Sequence, residues 1–340
     1  MTRRGLAKFV TRTSRESALA ILAATAVLLA ACRNPPTRAT IPPGPYTPGQ
    51  SYFGRNNYIE YIAGNSPVIL SAAHGGNLTP AEIPDRTDAA CGATATTTQD
   101  LNTRELVVAM QQAMHTRFDT FPHVVISHLH RKKLDANRPI NEASCGNRDA
   151  AVAWLEFHAF MDAAKRAVVN GPGKGWHMDM HGHGHTIQRL ELGYLLSGAE
   201  LRQPDTTLDA GTTFEEESSI DTISKDDANE TFSALLRGPN SLGALYVANE
   251  FPSVPSANDP FPQSGDLYFN GGFSTERHAC GAAAGPLGGQ PGGNICGVQI
   301  ETNLTGVRDT AANRARFAEV TARILETYLA THWDIQLRNP

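Results

Sequence analysis

Short apolar runs that stop at polar or glycine-rich turns recur along this chain, alternating with longer stretches of helical spacing. Val68-Ile69-Leu70-Ser71-Ala72-Ala73, ending at His74-Gly75-Gly76, reads as a buried strand running into a loop. Leu101 to Phe118 places Leu101, Leu106, Ala109, Met110 and Ala113 at helical spacing, and His123-Val124-Val125-Ile126-Ser127 is a second, β-branched strand. Arg148 to Asn170 predicts a long helix that Gly171-Pro172-Gly173 stops. Trp176-His177-Met178-Asp179-Met180-His181 is the central strand, and Ile187 to Leu196 is a further strand candidate. Pro204 to Glu230 is acidic and poor in apolar runs, which predicts a surface insertion. Phe232 to Phe251 returns to helical patterning, Gly297-Val298-Gln299-Ile300-Glu301 is the last strand, and Thr310 to Trp333 the closing helix. Strands alternating with helices predict one α/β domain on a mostly parallel sheet.

Composition adds little to that picture. The chain has 340 residues, 41% apolar and 19% charged, enough for one sizeable core, and its net charge of −5 gives no reason to expect nucleic acid. The ends change more. Arg3, Arg4 and Lys8 precede an apolar stretch from Ala18 to Ala31 that ends Leu29-Ala30-Ala31-Cys32. This resembles a bacterial lipoprotein signal, with residues 1–31 removed and Cys32 carrying the lipid. The apolar run is shorter than the roughly 20 residues a membrane span needs. Residues 32–50, with six prolines between Arg33 and Gln50, read as an extended tether, and 51–340 as a single catalytic domain. Arg33 after the lipidated cysteine points, by the same resemblance, to the outer membrane. An exported chain permits disulfides, and the four remaining cysteines are expected to pair Cys91 with Cys145 and Cys280 with Cys296.

The chemistry concentrates at strand ends. Four histidines, His177, His181, His183 and His185, fall within nine residues, and Asp179 and His181, two apart, project from one face of a strand. A lone histidine or aspartate there more often caps a turn; the density weighs against that. In parallel sheets functional groups gather at the carboxyl ends of strands, which selects His74, Asp179, His181 and Glu301. Two histidines and a carboxylate are what a catalytic Zn²⁺ requires, and such an ion lowers the pKa of bound water towards about 7. A further carboxylate outside the metal shell can move the proton, and Glu301 is the candidate.

Five motifs resemble those of N-formylglutamate amidohydrolases, in that family's order over residues 58 to 333. They are Ala73-His74-Gly75-Gly76, Asp135-Ala136-Asn137-Arg138-Pro139, Asp179-Met180-His181-Gly182, Asn270-Gly271-Gly272-Phe273-Ser274 through His278, and Val298-Gln299-Ile300-Glu301. The resemblance implies a three-layer α/β/α domain of the phosphorylase/hydrolase-like fold, with a mixed, mostly parallel sheet. It also implies a zinc-dependent amide hydrolase distantly akin to zinc carboxypeptidases. His74 and His181 become metal ligands, Glu301 the general base and acid, and Asn137 and Arg138 the binders of a substrate carboxylate. Arg131, in a basic run that otherwise reads as solvated, is the oxyanion candidate. The carboxypeptidase pattern needs a glutamate at 77, where Asn77 stands. The carboxylate ligand must then come from Glu82, Asp85, Asp88 or Asp100; Asp100 is the first choice and Glu82 the second. Asp179 is assigned to support a ligating imidazole. His183 and His185 are read as exposed or cleft-lining, ahead of a second ion.

The expected activity is hydrolysis of an amide next to a free carboxylate, on a small acyl-amino acid or a peptide. Formylglutamate is a cytoplasmic catabolite and this chain reads as exported, so peptides, poly-γ-glutamate or peptidoglycan stems are equal candidates. The rival of another class is a surface lipoprotein that binds a ligand without turning it over.

Overall fold

The computed structural model describes residues 38–280 and 293–338. The signal stretch and Cys32 lie outside the described residues, and among those described no helix is long and apolar enough to cross a membrane. Eight strands form one sheet: β1 (Ser51–Phe53), β2 (Ile59–Ile62), β3 (Val68–Ala72), β4 (His123–Ser127), β5 (Gly175–Gly182), β6 (Leu190–Gly193), β7 (Ser253–Val254) and β8 (Ile295–Thr302). Their spatial order is β1-β2-β4-β3-β5-β8-β6-β7. The four central strands, β4, β3, β5 and β8, run parallel, while β1, β2 and β6 join antiparallel at the flanks.

Alternation along the strands sorts the side chains into two layers. Val68, Leu70 and Ala72 of β3, Trp176, Met178 and Met180 of β5, and Val298 and Ile300 of β8 face one side. There they meet α1 (Thr103–Phe118) and α4 (Ala311–Trp333), the latter capped by Thr310, whose side chain accepts from the Asn313 amide. Ile69, Ala73, Tyr61 and Val125 face the other side. They pack against α2 (Arg148–Asn170), which buries Ala150, Ala153, Phe157, Phe160, Met161, Ala164 and Val168 at helical spacing. A fourth helix, α3 (Phe273–His278), closes this second layer beside β5 and β8. The domain is therefore three-layered, with a mixed sheet that is parallel at its centre.

Three expectations need correction. The acidic stretch 204–230 is no mere surface insertion: it forms short helices, and Leu208, Ile220 and Ile223 are fully buried in the α1/α4 layer. Ser219 also bonds the backbone of Gly297 in β8, through both its carbonyl and its hydroxyl. Three apolar residues spread among carboxylates give no periodicity to read. The stretch 232–251 is two helices, Phe232–Arg237 and Leu242–Ala248, because Gly238-Pro239 removes a backbone donor and breaks the first. Residues 38–50 lie against the domain, with Tyr46 edge-on to Tyr52 and Tyr61. Cys91–Cys145 and Cys280–Cys296 are disulfide-bonded.

One buried polar residue of the scaffold makes a pH prediction. His123 opens β4 at 1% exposure, and its Nδ1 accepts from the Tyr61 hydroxyl at 2.7 Å and the Gly64 amide at 3.1 Å. Burial pulls its pKa down to about 4. Unfolded, the ring titrates near 6.5, so between these values the unfolded chain binds more protons. The stability contributed by the neutral ring is complete above pH 6.5 and is lost as the pH falls towards 4, by about 3 kcal/mol. His123→Phe cannot titrate. It should be less stable than wild type at pH 7, because Tyr61 and Gly64 lose their acceptor, with the difference shrinking by about that amount towards pH 4. Parallel unfolding curves at both pH values, with no narrowing, would refute the assignment.

Candidate metal centre

The strand-end residues meet at the carboxyl edge of the parallel core. Beyond β3, Gly75 allows a close approach: a Cβ there would stand 2.6 Å from Thr103 Oγ1 at the start of α1. The approach is stitched by Gln99, whose amide donates to the carbonyls of Gly75 and Gly76, and by the Asp100 amide, which donates to the His74 carbonyl at 3.2 Å. Asp100 is thereby laid beside His74. On β5 the order Trp-His-Met-Asp-Met-His puts Trp176, Met178 and Met180 in the apolar layer and His177, Asp179 and His181 on the opposite face. The β5–β8 register places Asp179 beside Gln299 and His181 beside Glu301.

Two imidazoles converge on one carboxylate oxygen. Asp100 Oδ2 lies 3.3 Å from His74 Nδ1 and 3.1 Å from His181 Nδ1, and also accepts the Gly182 amide at 3.2 Å. The outer nitrogen of each ring is held by a different buried carboxylate: His74 Nε2 by Asp135 Oδ1 at 2.6 Å, His181 Nε2 by Asp179 Oδ2 at 3.0 Å. All five residues are buried. Ligating histidines characteristically give their second N–H to a carboxylate, which fixes tautomer and ring orientation. The donor set, two imidazoles and a carboxylate with ligand atoms within 4.8 Å of one another, fits a divalent cation of the zinc type.

Burial works against charge on His181, but Asp179, then Asp100, outweigh it and drive the ring well above the imidazole range. Burial alone would raise Asp179; the His181 charge and bonds from His181 and Ser71 hold it at about 2. Ser71 donates to Asp179 Oδ1 at 2.6 Å and lies 2.8 Å from His177 Nε2. His177 itself is pulled down to about 4 by burial.

Glu301 is buried in a different environment. Its Oε1 accepts from Gln299 Nε2 at 3.0 Å, while Oε2 is buried with no hydrogen-bond partner among the described residues. Burial raises its pKa to about 8; the charges of Asp100 and Glu191 push the same way and His181 opposes them. Arg131 reaches into the site, with Nε 3.0 Å from Asp135 Oδ2 and Nη1 3.5 Å from Asp100 Oδ1. The basic run around it is not solvated throughout, since Lys133 is buried and donates to the Ile83 carbonyl.

Other expected residues fall elsewhere. Asn137 is buried with its amide engaged at both ends: Oδ1 accepts the Ser274 amide at 2.6 Å, and Nδ2 donates to Gln299 Oε1 at 3.3 Å. Gly272 exists for this contact, because a Cβ there would collide with the Asn137 amide. Asn137 thus ties three motifs together and has little left for a substrate. Arg138 is exposed, and its guanidinium makes no hydrogen bond or ion pair among the described residues. Glu82 is exposed and bonded by the Tyr58 hydroxyl, Asp85 pairs with Lys132 and Lys133, and Asp88 accepts the Ala95 amide. None of these three joins the cluster. His183 is buried rather than exposed, and His185 is half-buried.

Two further residues shape the site: Asp135 holds His74 and Gln299 holds Glu301. Both belong to the strand-end and Asp-Ala-Asn-Arg-Pro motifs, and an aspartate two residues before the motif's asparagine is the signal the sequence offers for the first.

No protein-family model matches the chain, and no curated protein matches it. Among solved structures, the gene product Atu2144 of Agrobacterium tumefaciens is similar at 12% identity and a TM-score of 0.46, over 81% of this chain and 95% of that one. An N-formylglutamate amidohydrolase from Ralstonia eutropha JMP134 is similar at 12% identity and a TM-score of 0.42, over 79% of this chain and 97% of that one.

Proposed function

We propose that this chain is a metal-dependent hydrolase that cleaves an amide bond next to a free carboxylate. One observation carries the reading: His74 and His181, from separate strand ends, aim their Nδ1 atoms at one oxygen of Asp100, and Asp135 and Asp179 hold their outer nitrogens. The motif resemblance to N-formylglutamate amidohydrolases supports it, and the export reading of the N-terminus favours peptides, poly-γ-glutamate or peptidoglycan stems over formylglutamate as substrates.

A divalent cation bound there would supply Lewis acidity towards a carbonyl and a water. The remaining work falls to the chain's own groups. Glu301, its carboxylate oriented by Gln299 through one oxygen and unpartnered at the other, takes the proton from the attacking water and returns it to the leaving amine. Its pKa near 8 suits both halves of that exchange, and positive charge gained at the neighbouring cluster pulls it back towards neutrality. Arg131, held by Asp135 and Asp100, sets a fixed positive charge beside the site for an oxyanion. Arg138, exposed and unengaged, offers a guanidinium fork for the substrate carboxylate.

A lipoprotein that only binds its ligand has no use for a proton carrier beside the cluster, and Glu301, with one oxygen held by Gln299 and the other buried without a partner among the described residues, is placed as one. The test is elemental analysis of the mature chain, purified without chelator, beside the His74→Ala, His181→Ala double variant. The wild type is expected to hold zinc or a related cation and to hydrolyse members of an acyl-amino acid and peptide panel. The double variant is expected to lose at least one equivalent of cation and all hydrolysis. Full cation retention by the double variant overturns the proposal.

A further inference from the structure

Beside the first cluster, and independent of its assignment, stand His183, His185 and Glu191, which we infer to be a second cation site taking Zn²⁺ or a neighbouring first-row divalent ion. Each residue offers a ligand atom, and the three atoms lie within 4.8 Å of one another. Imidazole and carboxylate donors in this number suit zinc and its neighbours better than the all-oxygen shells of calcium or magnesium.

Hydrogen bonds around the three residues prepare them for such a role. His183 Nε2 is 2.8 Å from the Arg189 carbonyl oxygen, which can only accept, so Nε2 carries the proton and Nδ1 the lone pair. Arg189 is itself anchored by ion pairs to Asp259 and Asp266. Glu191 is fully buried, and its Oε2 accepts the Phe269 amide at 2.8 Å, leaving Oε1 to His185 Nδ1 at 2.7 Å. A cation bound between these two atoms can take the place of that hydrogen bond. The His185 ring is stacked on Phe269 at 4.7 Å, which keeps it facing Glu191. His183 Nδ1 now accepts the His185 amide at 3.1 Å, and cation binding must release that bond. Gly184 between them is exposed, with open space where a Cβ would stand, so the loop has room to make the exchange.

A second observation comes from the sheet. Glu191 on β6 lies opposite Glu301 on β8, which lies beside His181 on β5, so the three share one row across adjacent strands. Glu301, with its buried and unpartnered Oε2, therefore stands between the two clusters. Glu301 and Glu191 are carboxyl groups directly opposite on neighbouring strands, a pair that cannot both carry charge without cost unless a cation lies beside them.

The experiment strips the mature chain with chelator, titrates it with Zn²⁺ alone, and counts bound ions by mass spectrometry of the desalted protein. Two equivalents are expected for the wild type. His185→Phe keeps the ring on Phe269 and removes both nitrogens; it should hold one equivalent, with the other weakened by about 100-fold or more. Glu191→Gln should do the same. If either variant unfolds, the His74→Ala, His181→Ala protein still decides, since Zn²⁺ should raise its melting temperature through the remaining site. Equal binding by wild type and His185→Phe, or no zinc effect on the melting of the double variant, overturns the second site and leaves the first intact. Loss of an ion with His185→Phe but not with the double variant supports the second site and removes the basis of the proposed hydrolase centre.

Discussion

Glu301→Gln is expected to retain the cation of the His74–Asp100–His181 cluster and to lower turnover by about 10³-fold, within the range that general acid–base groups contribute. Glutamine matches the shape of glutamate, and Glu301 is not among the three converging ligands. What the change removes is the capacity to accept a proton at Oε2, the oxygen without a partner. KM should move little, because the loss falls on the proton-transfer step rather than on binding. The pH profile supplies a second readout. A base works only when deprotonated, so wild-type kcat/KM should rise with pH through the pKa of Glu301, lying at or below its cation-free value of about 8. That rising limb should be absent from the small residual activity of Glu301→Gln. Turnover within about tenfold of wild type would exclude Glu301 as the proton carrier.

The parts of this arrangement written in local periodicity were readable in the chain itself. Trp176 to His181 alternates apolar and polar residues, and the alternation alone places Asp179 and His181 on one face away from the core. Thr310 before an apolar helix and Gly171-Pro172-Gly173 after another mark helix ends because caps and breakers act within a few residues. Asp100 and Glu82 are both open candidates in sequence, and only the fold separates them, since Gln99 and the Asp100 amide bond back to the loop after β3 and lay Asp100 beside His74. The same holds for Asp135 and Asn137, whose roles come from contacts between residues more than forty positions apart. The antiparallel pair β1–β2 at the sheet edge is not legible in sequence, because short edge strands carry no distinctive pattern. Leu208, Ile220 and Ile223 are hard to read for a related reason: each is an isolated apolar residue among polar and acidic neighbours, two of which, Asp221 and Asp227, are themselves buried.

The contacts around the site share a logic. His74, His181 and Glu301 are each oriented by a group from elsewhere in the fold or strand: Asp135, Asp179 and Gln299. Asn137 then joins Gln299 to α3 through the Ser274 amide. A site held in this way is set before any ligand arrives, which is what electrostatic stabilisation of a transition state needs. It also means that removing a ligand and removing the proton carrier must fail differently, and the remaining prediction uses that difference.

Asp100→Asn is expected to abolish activity through loss of the cation. The substitution keeps an oxygen for the Gly182 amide at nearly the same place, so the fold should survive. It removes the anionic charge on which both Nδ1 atoms converge, and with it one of the two carboxylates that push the His181 pKa up. Cation affinity at this cluster should fall by about 100-fold or more, since even groups that merely support ligands are worth 10- to 100-fold. Turnover at trace metal should fall by about 10³-fold or more, as for Glu301→Gln, but millimolar Zn²⁺ should restore part of it by mass action. No concentration of Zn²⁺ should restore Glu301→Gln, whose defect is in proton transfer. If added metal rescues neither variant, while Asp100→Asn still binds it as tightly as wild type, Asp100 is not the ligand that joins the two histidines.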